Sequence, residues 1–142
     1  MNWTQSWAVF ATASAVFAAL TAVFGKLGVA HINSNLATFI RTVVILALIA
    51  AVVSVRGQWR MPHRLPGRDV LWLVLSALAT GASWLCYYRA LQLGPASRVA
   101  PVDKLSVLFA IVLAVLFLGE AFTWKLALGG ALMLAGAVVL VL

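Results

Sequence analysis

Ionisable side chains lie inside or at the ends of apolar segments of this sequence, where a charge is costly. Lys26 and Arg41 lie within one or two helical turns of the end of such a segment, and Asp103 and Lys104 lie at the start of another. A charge near the centre of a bilayer costs about 2.5–3.5 kcal/mol unless the side chain snorkels to the surface or finds a partner. Taken singly, the position of Lys26 or of Arg41 is explained equally well by snorkelling and by a role in binding a charge.

Asp103 differs from these bases because its side chain is too short to snorkel far. It needs a positive partner, for which the candidates are Lys26, Arg41, Arg89 and Lys104. Adjacent residues of a helix diverge by about 100°. We therefore expect Asp103 to pair with a base on another helix rather than with Lys104, and the pair to form a charge site or gate.

A polar stripe runs along the third apolar segment at helical spacing. It consists of Ser76, Thr80, Ser83 and Tyr87, with Trp84 and Tyr88 beside it. The stripe is either the polar and aromatic wall of a substrate cavity or a small-residue packing face with aromatics at the membrane surface. Packing explains Tyr87 and Tyr88 well but Trp84 less well, so we favour the cavity. Ser106 extends the polar face on the fourth segment.

Residues for enzyme chemistry are scarce. The chain has three carboxylates and two histidines, His31 and His63, which both fall in connecting segments. No nucleophile–base set, phosphate-binding loop or cluster with metal-ligand spacing is present. Cys86 has no second cysteine to pair with. We expect no enzymatic activity, no metal and no cofactor.

The composition predicts that lipid surrounds the chain. Of the 142 residues, 65% are hydrophobic and 9% are charged, whereas a soluble domain has about 45–50% and about 25%. At about 20 residues per crossing, the length allows five spans. The net charge of +7 does not indicate nucleic-acid binding, because the bases lie in one short loop or at the ends of apolar runs.

Five apolar runs position these side chains in a single all-α membrane domain over residues 1–142. The predicted spans are about 3–27, 36–55, 69–91, 99–118 and 124–142. We expect the first run to be a membrane span rather than a signal peptide, because it lacks a basic leader and is too long for the apolar core of a signal peptide. Gly94 and Pro95 separate the third and fourth spans, since both disfavour a continuing helix.

The basic residues predict the orientation of the chain. One side carries Arg56, Arg60, Arg64, Arg68 and Lys125, so we expect that side and the N-terminus to be cytoplasmic in a multi-pass inner (plasma) membrane protein. The bias is contestable, because other bases lie toward the opposite side, mostly at helix ends. These are Lys26, Arg41, Arg89, Arg98 and Lys104.

Small residues predict close helix packing in two spans. Gly25 ends a small-residue face on the first span, and Gly129, Gly130 and Gly136 lie on the fifth. The fifth span suits contact within the chain and contact between protomers equally well.

Several of these residues recur as a set in a known family. In chain order they are Lys26, Gly28, Asn35, Ala37, Thr38, Arg41 and Thr42, the run SWLCYYRALQLG over 83–94, the run VAPVDKLS over 99–106, and Leu118-Gly119-Glu120. With this set the chain resembles a single-domain EamA-type member of the drug/metabolite transporter superfamily, over essentially its whole length.

The resemblance implies a carrier or exporter of small metabolites or drug-like solutes. Larger members join two five-helix halves of opposite orientation, so this chain matches half of a ten-helix inverted repeat. A complete carrier then needs an inverted partner, because the number of spans is odd: either a second copy in an antiparallel homodimer or a heteromeric membrane partner of opposite orientation. The loop arginines argue against equal insertion of this chain in both orientations. The matching residues expected to be structural are Asn35, Thr38, Pro101, Gly119 and Glu120.

The expected function is a transporter subunit that works by alternating access on a small-molecule substrate. Thr80, Ser83, Trp84, Tyr87, Tyr88 and Ser106 are the expected substrate pathway, and Lys26, Arg41, Arg89, Asp103 and Lys104 the charge site or gate. The first span has no acid, unlike the four-span small multidrug exporters, so their proton–cation antiport does not transfer to this chain. Bases outnumber acids in the membrane, so an anionic or zwitterionic substrate is favoured over a plain cation. The alternative is a non-transporting subunit that assembles with another membrane protein.

Overall fold

Helices make up the regular secondary structure of the described residues. The computed structural model describes residues 6–59 and 66–142, and no strand occurs in these two ranges. The helices are α1 Trp7–Gly28, α2 Ser34–Val55, α3 Gly67–Leu93, α4 Ala96–Asp103, α5 Ser106–Leu118 and α6 Trp124–Val141. The predicted start of the first span at residue 3, and the loop residues Arg60, His63 and Arg64, lie outside the described residues.

Five stretches are long and apolar enough to cross a membrane: α1, α2, α3, α4 with α5, and α6. The all-α, five-span prediction is confirmed, and these spans imply a bilayer environment. Large apolar side chains are exposed along the helices, among them Phe117 at 80%. In a soluble protein such a surface would be covered, so it is the surface that meets lipid.

The fourth span is interrupted, where the sequence predicted one helix over about 99–118. It begins earlier, at Ala96, because Pro95 sets an extended backbone just before the first turn. Inside α4, Pro101 has no N–H to donate to the carbonyl four residues back. Residues 105, 107 and 108 then donate to the carbonyls three residues before them. This tighter winding, of the 3₁₀ type, separates α4 from α5.

Side chains and glycines define the other helix ends. The Asn33 side chain accepts a bond from the N–H of Asn35 at the start of α2, and Thr123 accepts one from Leu126 at the start of α6. At the end of α2, Gly57 adopts a φ of 61° and its N–H donates to the carbonyl of Ser54. Such left-handed glycines allow the last carbonyls of a helix to be bonded.

The described residues fall into two compact units, of which one comprises residues 6–23 and 93–142. In this unit α6 packs against α4 and α5. Gly130 provides a close approach, since a β-carbon there would lie 3.1 Å from the Leu108 side chain. Beside this contact α5 and α6 form an apolar groove of about 300 Å³. The contact of Gly130 thus lies within the chain, whereas Gly129 and Gly136 have nothing within 4 Å of a β-carbon.

The second unit comprises residues 24–59 and 66–92 and holds the last turn of α1, α2 and most of α3. Val29 and Leu91 are fully buried in it. At Gly25 a β-carbon would lie 3.1 Å from the Tyr88 hydroxyl and 3.3 Å from Leu91. The predicted close approach at Gly25 is confirmed, and its partner is α3.

Candidate functional site

A cation–aromatic cluster joins the second and third spans. Arg41, in the second turn of α2, places its guanidinium carbon 4.2 Å from the centre of the Trp84 ring and 5.2 Å from that of Tyr88. Trp84 and Tyr88 are four residues apart on α3, so both rings face the same way. We call these two rings the aromatic platform. A guanidinium over such rings gains about 0.5–2 kcal/mol, with the larger values where water is excluded.

Burial fixes one side of this cluster and leaves the other accessible. Tyr88 is only 4% exposed, and its ring meets that of Tyr87 edge-on at 6.1 Å. Trp84 and Arg41 are partly exposed. Tyr88 is therefore the buried part of the cluster, and Arg41 and Trp84 form its accessible part.

The hydroxyls near this cluster are bonded to their own helices. Thr38 is buried and donates to the carbonyl of Ser34, and Thr42 donates to that of Thr38. On α3, Thr80 donates to the carbonyl of Ser76. Bonds of this kind satisfy a hydroxyl inside a membrane. Trp84 and Tyr88, which lie beside the predicted stripe, thus form the cluster with Arg41, whereas the stripe residues Thr80 and Ser83 are exposed.

A second group of polar side chains surrounds the C-terminal end of α3. The Lys26 ammonium donates to the backbone carbonyl of Leu91 at 2.6 Å. Gln92 donates to the carbonyl of Ile32 at 3.0 Å and accepts from the Arg89 guanidinium at 2.7 Å. Cations are favoured at a helix C-terminus, where unpaired carbonyls carry partial negative charge. Lys26 therefore binds the end of α3, whereas Arg89 bonds the Gln92 side chain on its own helix.

Asp103 and Lys104 pair with each other at the end of α4. The Lys104 ammonium lies 3.4 Å from a carboxylate oxygen of Asp103, and the two side chains are 56% and 33% exposed. The expectation of a partner on another helix is therefore wrong for the described residues. Lys104 closes α4 as its C-cap, and its flexible stem reaches back to the preceding residue. Ser106, the first residue of α5, is exposed.

Of the residues expected to be structural, Thr38 and Pro101 lie inside helices, and Asn35, Gly119 and Glu120 lie at helix ends. Gly119 ends α5 with a φ of 69°, and Glu120 follows it with an exposed side chain. No ion pair between Glu120 and Lys125 occurs in the part of the chain that the structure describes. Asn35 lies in the first turn of α2, where its N–H meets the Asn33 cap.

Two contributors were missed by sequence reasoning. Asn33 caps α2, and an asparagine directly before an apolar run is a recognisable start signal. Gln92 links the α1–α2 connection to α3 through its bond to Ile32. A lone glutamine near the end of a span gives no such signal, because its partner is a backbone carbonyl 60 residues away.

Comparison with known proteins gives relatives that are named as transporters. The chain is 58% identical over 137 residues to a protein of Sinorhizobium sp. described as an uncharacterized transporter in the cobO 3′ region, covering 96% of this chain and 97% of that protein. It is 33% identical over 91 residues to human solute carrier family 35 member G1, which is 63% of this chain and 24% of that protein. No solved structure matches the chain.

The family comparison covers nearly the whole sequence. Residues 5–142 match the EamA-like transporter family, a range that includes all six helices. The five apolar spans and the set of residues from Lys26 to Glu120 agree with that match. The chain therefore belongs to the EamA-like transporter family, and it is a membrane transporter of the drug/metabolite kind.

Proposed function

We propose that this protein is a carrier subunit that moves a small metabolite or drug-like solute by alternating access, as part of a dimer. The observation that carries the proposal is the Arg41 guanidinium over Trp84 and Tyr88, inside two membrane spans. An ionisable group at such a place is costly to insert. Because Arg41 nevertheless lies in this span and contacts two aromatic rings, the cluster supports a role in binding the solute.

The surroundings of the cluster support a pathway along α3. Trp84 is partly exposed, and Thr80 and Ser83, on the same helix, present exposed polar groups. Tyr87 completes the proposed lining on this helix. The interruption between α4 and α5 supports movement, because a span broken by 3₁₀ winding can bend where a continuous helix resists.

A dimer is proposed because five helices make half of the ten-helix inverted repeat of larger carriers. The partner is a second copy or another membrane protein, inserted with opposite orientation. The inner (plasma) membrane location and a cytoplasmic N-terminus, argued from the loop arginines, belong to the same proposal. A single orientation of this chain favours a different membrane protein as the inverted partner, because an inverted second copy would carry its N-terminus on the outer side. Fusing reporter tags to both termini tests the orientation, since a dual insertion labels each terminus on both sides.

Transport is tested in liposomes loaded with a mixture of small organic acids, amines, amino acids and sugars. Efflux of each solute is followed by mass spectrometry against protein-free liposomes. We expect at least one solute to leave faster with the protein, and Trp84→Ala to slow that efflux about tenfold, because about 1–2 kcal/mol of binding to the charged cluster is lost.

The matched control is Trp72→Ala, which removes an exposed tryptophan from the same helix. Efflux through this variant should stay within about twofold of the parent, since a surface substitution away from the cluster changes little. If no solute leaves faster than from protein-free liposomes, the carrier hypothesis is rejected in favour of the alternative, a non-transporting subunit.

A further inference from the structure

We infer that Arg41 and the aromatic platform form a binding site for a carboxylate, and that the solute is a small organic anion with an apolar or aromatic body. The inference deepens the proposed function, because it names the class of solute and the residue that binds its charge. It rests on three observations about the second unit, residues 24–59 and 66–92.

The hydrogen-bonding capacity of Arg41 is unused. A guanidinium carries five N–H donors and no acceptor. The rings of Trp84 and Tyr88 attract its charge, but an aromatic face accepts no conventional hydrogen bond. Within residues 6–59 and 66–142, no carboxylate, carbonyl or hydroxyl oxygen accepts a bond from Arg41. Its donors are available to an external ligand, and the side chain is partly exposed.

The charge of Arg41 has no acidic side chain beside it among the described residues of its own unit. The whole sequence has three acids, and of these only Asp69 belongs to residues 24–92. Asp69 lies in the first turn of α3, fifteen residues before Trp84, which is about 22 Å along a helix at 1.5 Å per residue. An anionic ligand would supply the missing negative charge at close range, where low dielectric makes the attraction strong.

The geometry favours a carboxylate attached to a flat or apolar body. Two parallel N–H groups of a guanidinium match the two oxygens of a carboxylate, and this bidentate pairing is stronger than a neutral hydrogen bond. Beside the charge, the partly exposed Trp84 ring offers an apolar face for the rest of the ligand. The nearby hydroxyls of Thr38 and Thr42 already donate to backbone carbonyls. Arg41 is then the group that recognises the anion.

The oxyanion bound by Arg41 has two conceivable sources, a dissolved organic acid and the headgroup of an anionic lipid. The test uses the full chain in nanodiscs of phosphatidylcholine, which has no net charge. Titration calorimetry measures binding of benzoate and of the neutral benzamide, which has the same ring. We expect saturable binding of benzoate, and binding of benzamide weaker by at least about tenfold, since the charge-assisted bidentate pair is absent.

Variants of Arg41 assign the binding to this residue. Arg41→Gln keeps polarity without charge and should abolish benzoate binding. Arg41→Lys keeps the charge without the planar fork and should weaken it about tenfold. Arg68→Lys is the matched control at an exposed base outside the cluster, and it should leave binding unchanged. Equal melting temperatures of the variants show that they are folded.

Replacing part of the phosphatidylcholine with phosphatidylglycerol separates the two sources. Retained benzoate binding in both membranes supports a dissolved organic anion. Absent benzoate binding in phosphatidylcholine, together with Arg41-dependent retention of phosphatidylglycerol, overturns the inference in favour of a lipid headgroup. Equal binding of benzoate and benzamide overturns it as well. If only cationic or neutral solutes leave the liposomes, the organic-anion inference is rejected and the carrier proposal is kept. If benzoate binds but no solute leaves, the carrier proposal alone is rejected.

Discussion

The backbone of Gly25 lies against the side chain of Tyr88, and a β-carbon at residue 25 would lie 3.1 Å from the tyrosine hydroxyl. Gly25→Ala must therefore push Tyr88 away, although Tyr88 is almost fully buried. Overpacking costs about 1–3 kcal/mol, and alanine in a helix returns about 1 kcal/mol, so we expect a net loss of up to about 2 kcal/mol in the free energy of unfolding. Unfolding by dodecyl sulfate in mixed micelles, followed by circular dichroism, measures it.

Gly81→Ala is the control for this substitution. Gly81 is also helical, in α3, but a β-carbon there would meet nothing within 4 Å. Because alanine favours a helix by about 1 kcal/mol over glycine, this variant should be as stable as the parent or more stable. Equal effects at residues 25 and 81 would contradict the close approach of α1 and α3.

Lys26→Met tests the bond between the Lys26 ammonium and the carbonyl of Leu91. Methionine keeps an apolar stem but cannot donate, so the carbonyl at the end of α3 loses its partner. We expect a loss of about 1–3 kcal/mol, in the range for a hydrogen bond to a charged group. The measurement is again unfolding in mixed micelles.

Lys125→Met provides the comparison, because Lys125 is exposed at the start of α6. Its effect on stability should be within about 0.5 kcal/mol of zero. A Lys26→Met variant as stable as Lys125→Met would show that the bond to Leu91 contributes nothing measurable.

Gly119→Ala should destabilise the protein, because Gly119 holds a left-handed φ of 69° at the end of α5. A side chain in that conformation costs about 1–2 kcal/mol. Gly119→Asn should cost less, since asparagine tolerates this region better than alanine. Gly129→Ala, a helical position with open space around it, should not destabilise. The order of the three melting temperatures checks the prediction, and a Gly119→Ala variant as stable as Gly129→Ala would contradict it.

Asp103→Asn separates a role in transport from a role in stability. The pair with Lys104 is exposed, and such pairs contribute about 0–1 kcal/mol. We therefore expect insertion and melting temperature to be nearly unchanged. Because Asp103 belongs to the expected charge site or gate, we expect solute efflux from liposomes to fall sharply, whereas undiminished efflux removes Asp103 from the mechanism.

The five spans were predictable because their signal is simple. An apolar run of about 20 residues has few alternatives to a membrane helix, and the predicted and observed ends differ by a few residues. The break between α4 and α5 was not predicted. Pro101 marks it in the sequence, but whether a proline kinks a span or interrupts it depends on the packing around it.

The candidate site was predictable only in part. Trp84 and Tyr88 were picked out beside the polar stripe on α3, and the cost of a membrane charge pointed to Arg41. That these three residues meet depends on the depth and rotation of α2 against α3, which helix packing sets and sequence spacing does not. The partner of Asp103 was misjudged because divergence of adjacent residues limits short side chains, whereas the four-carbon stem of Lys104 can bend back.

The bond from Lys26 to Leu91 has a consequence for biosynthesis. The two residues are 65 positions apart, and a ribosome adds about 5–20 residues per second, so roughly 3–13 s separate their synthesis. During that delay the Lys26 ammonium has no α3 carbonyl to bind. The bond that joins the end of α1 to α3 can thus form only after the third span has been synthesised.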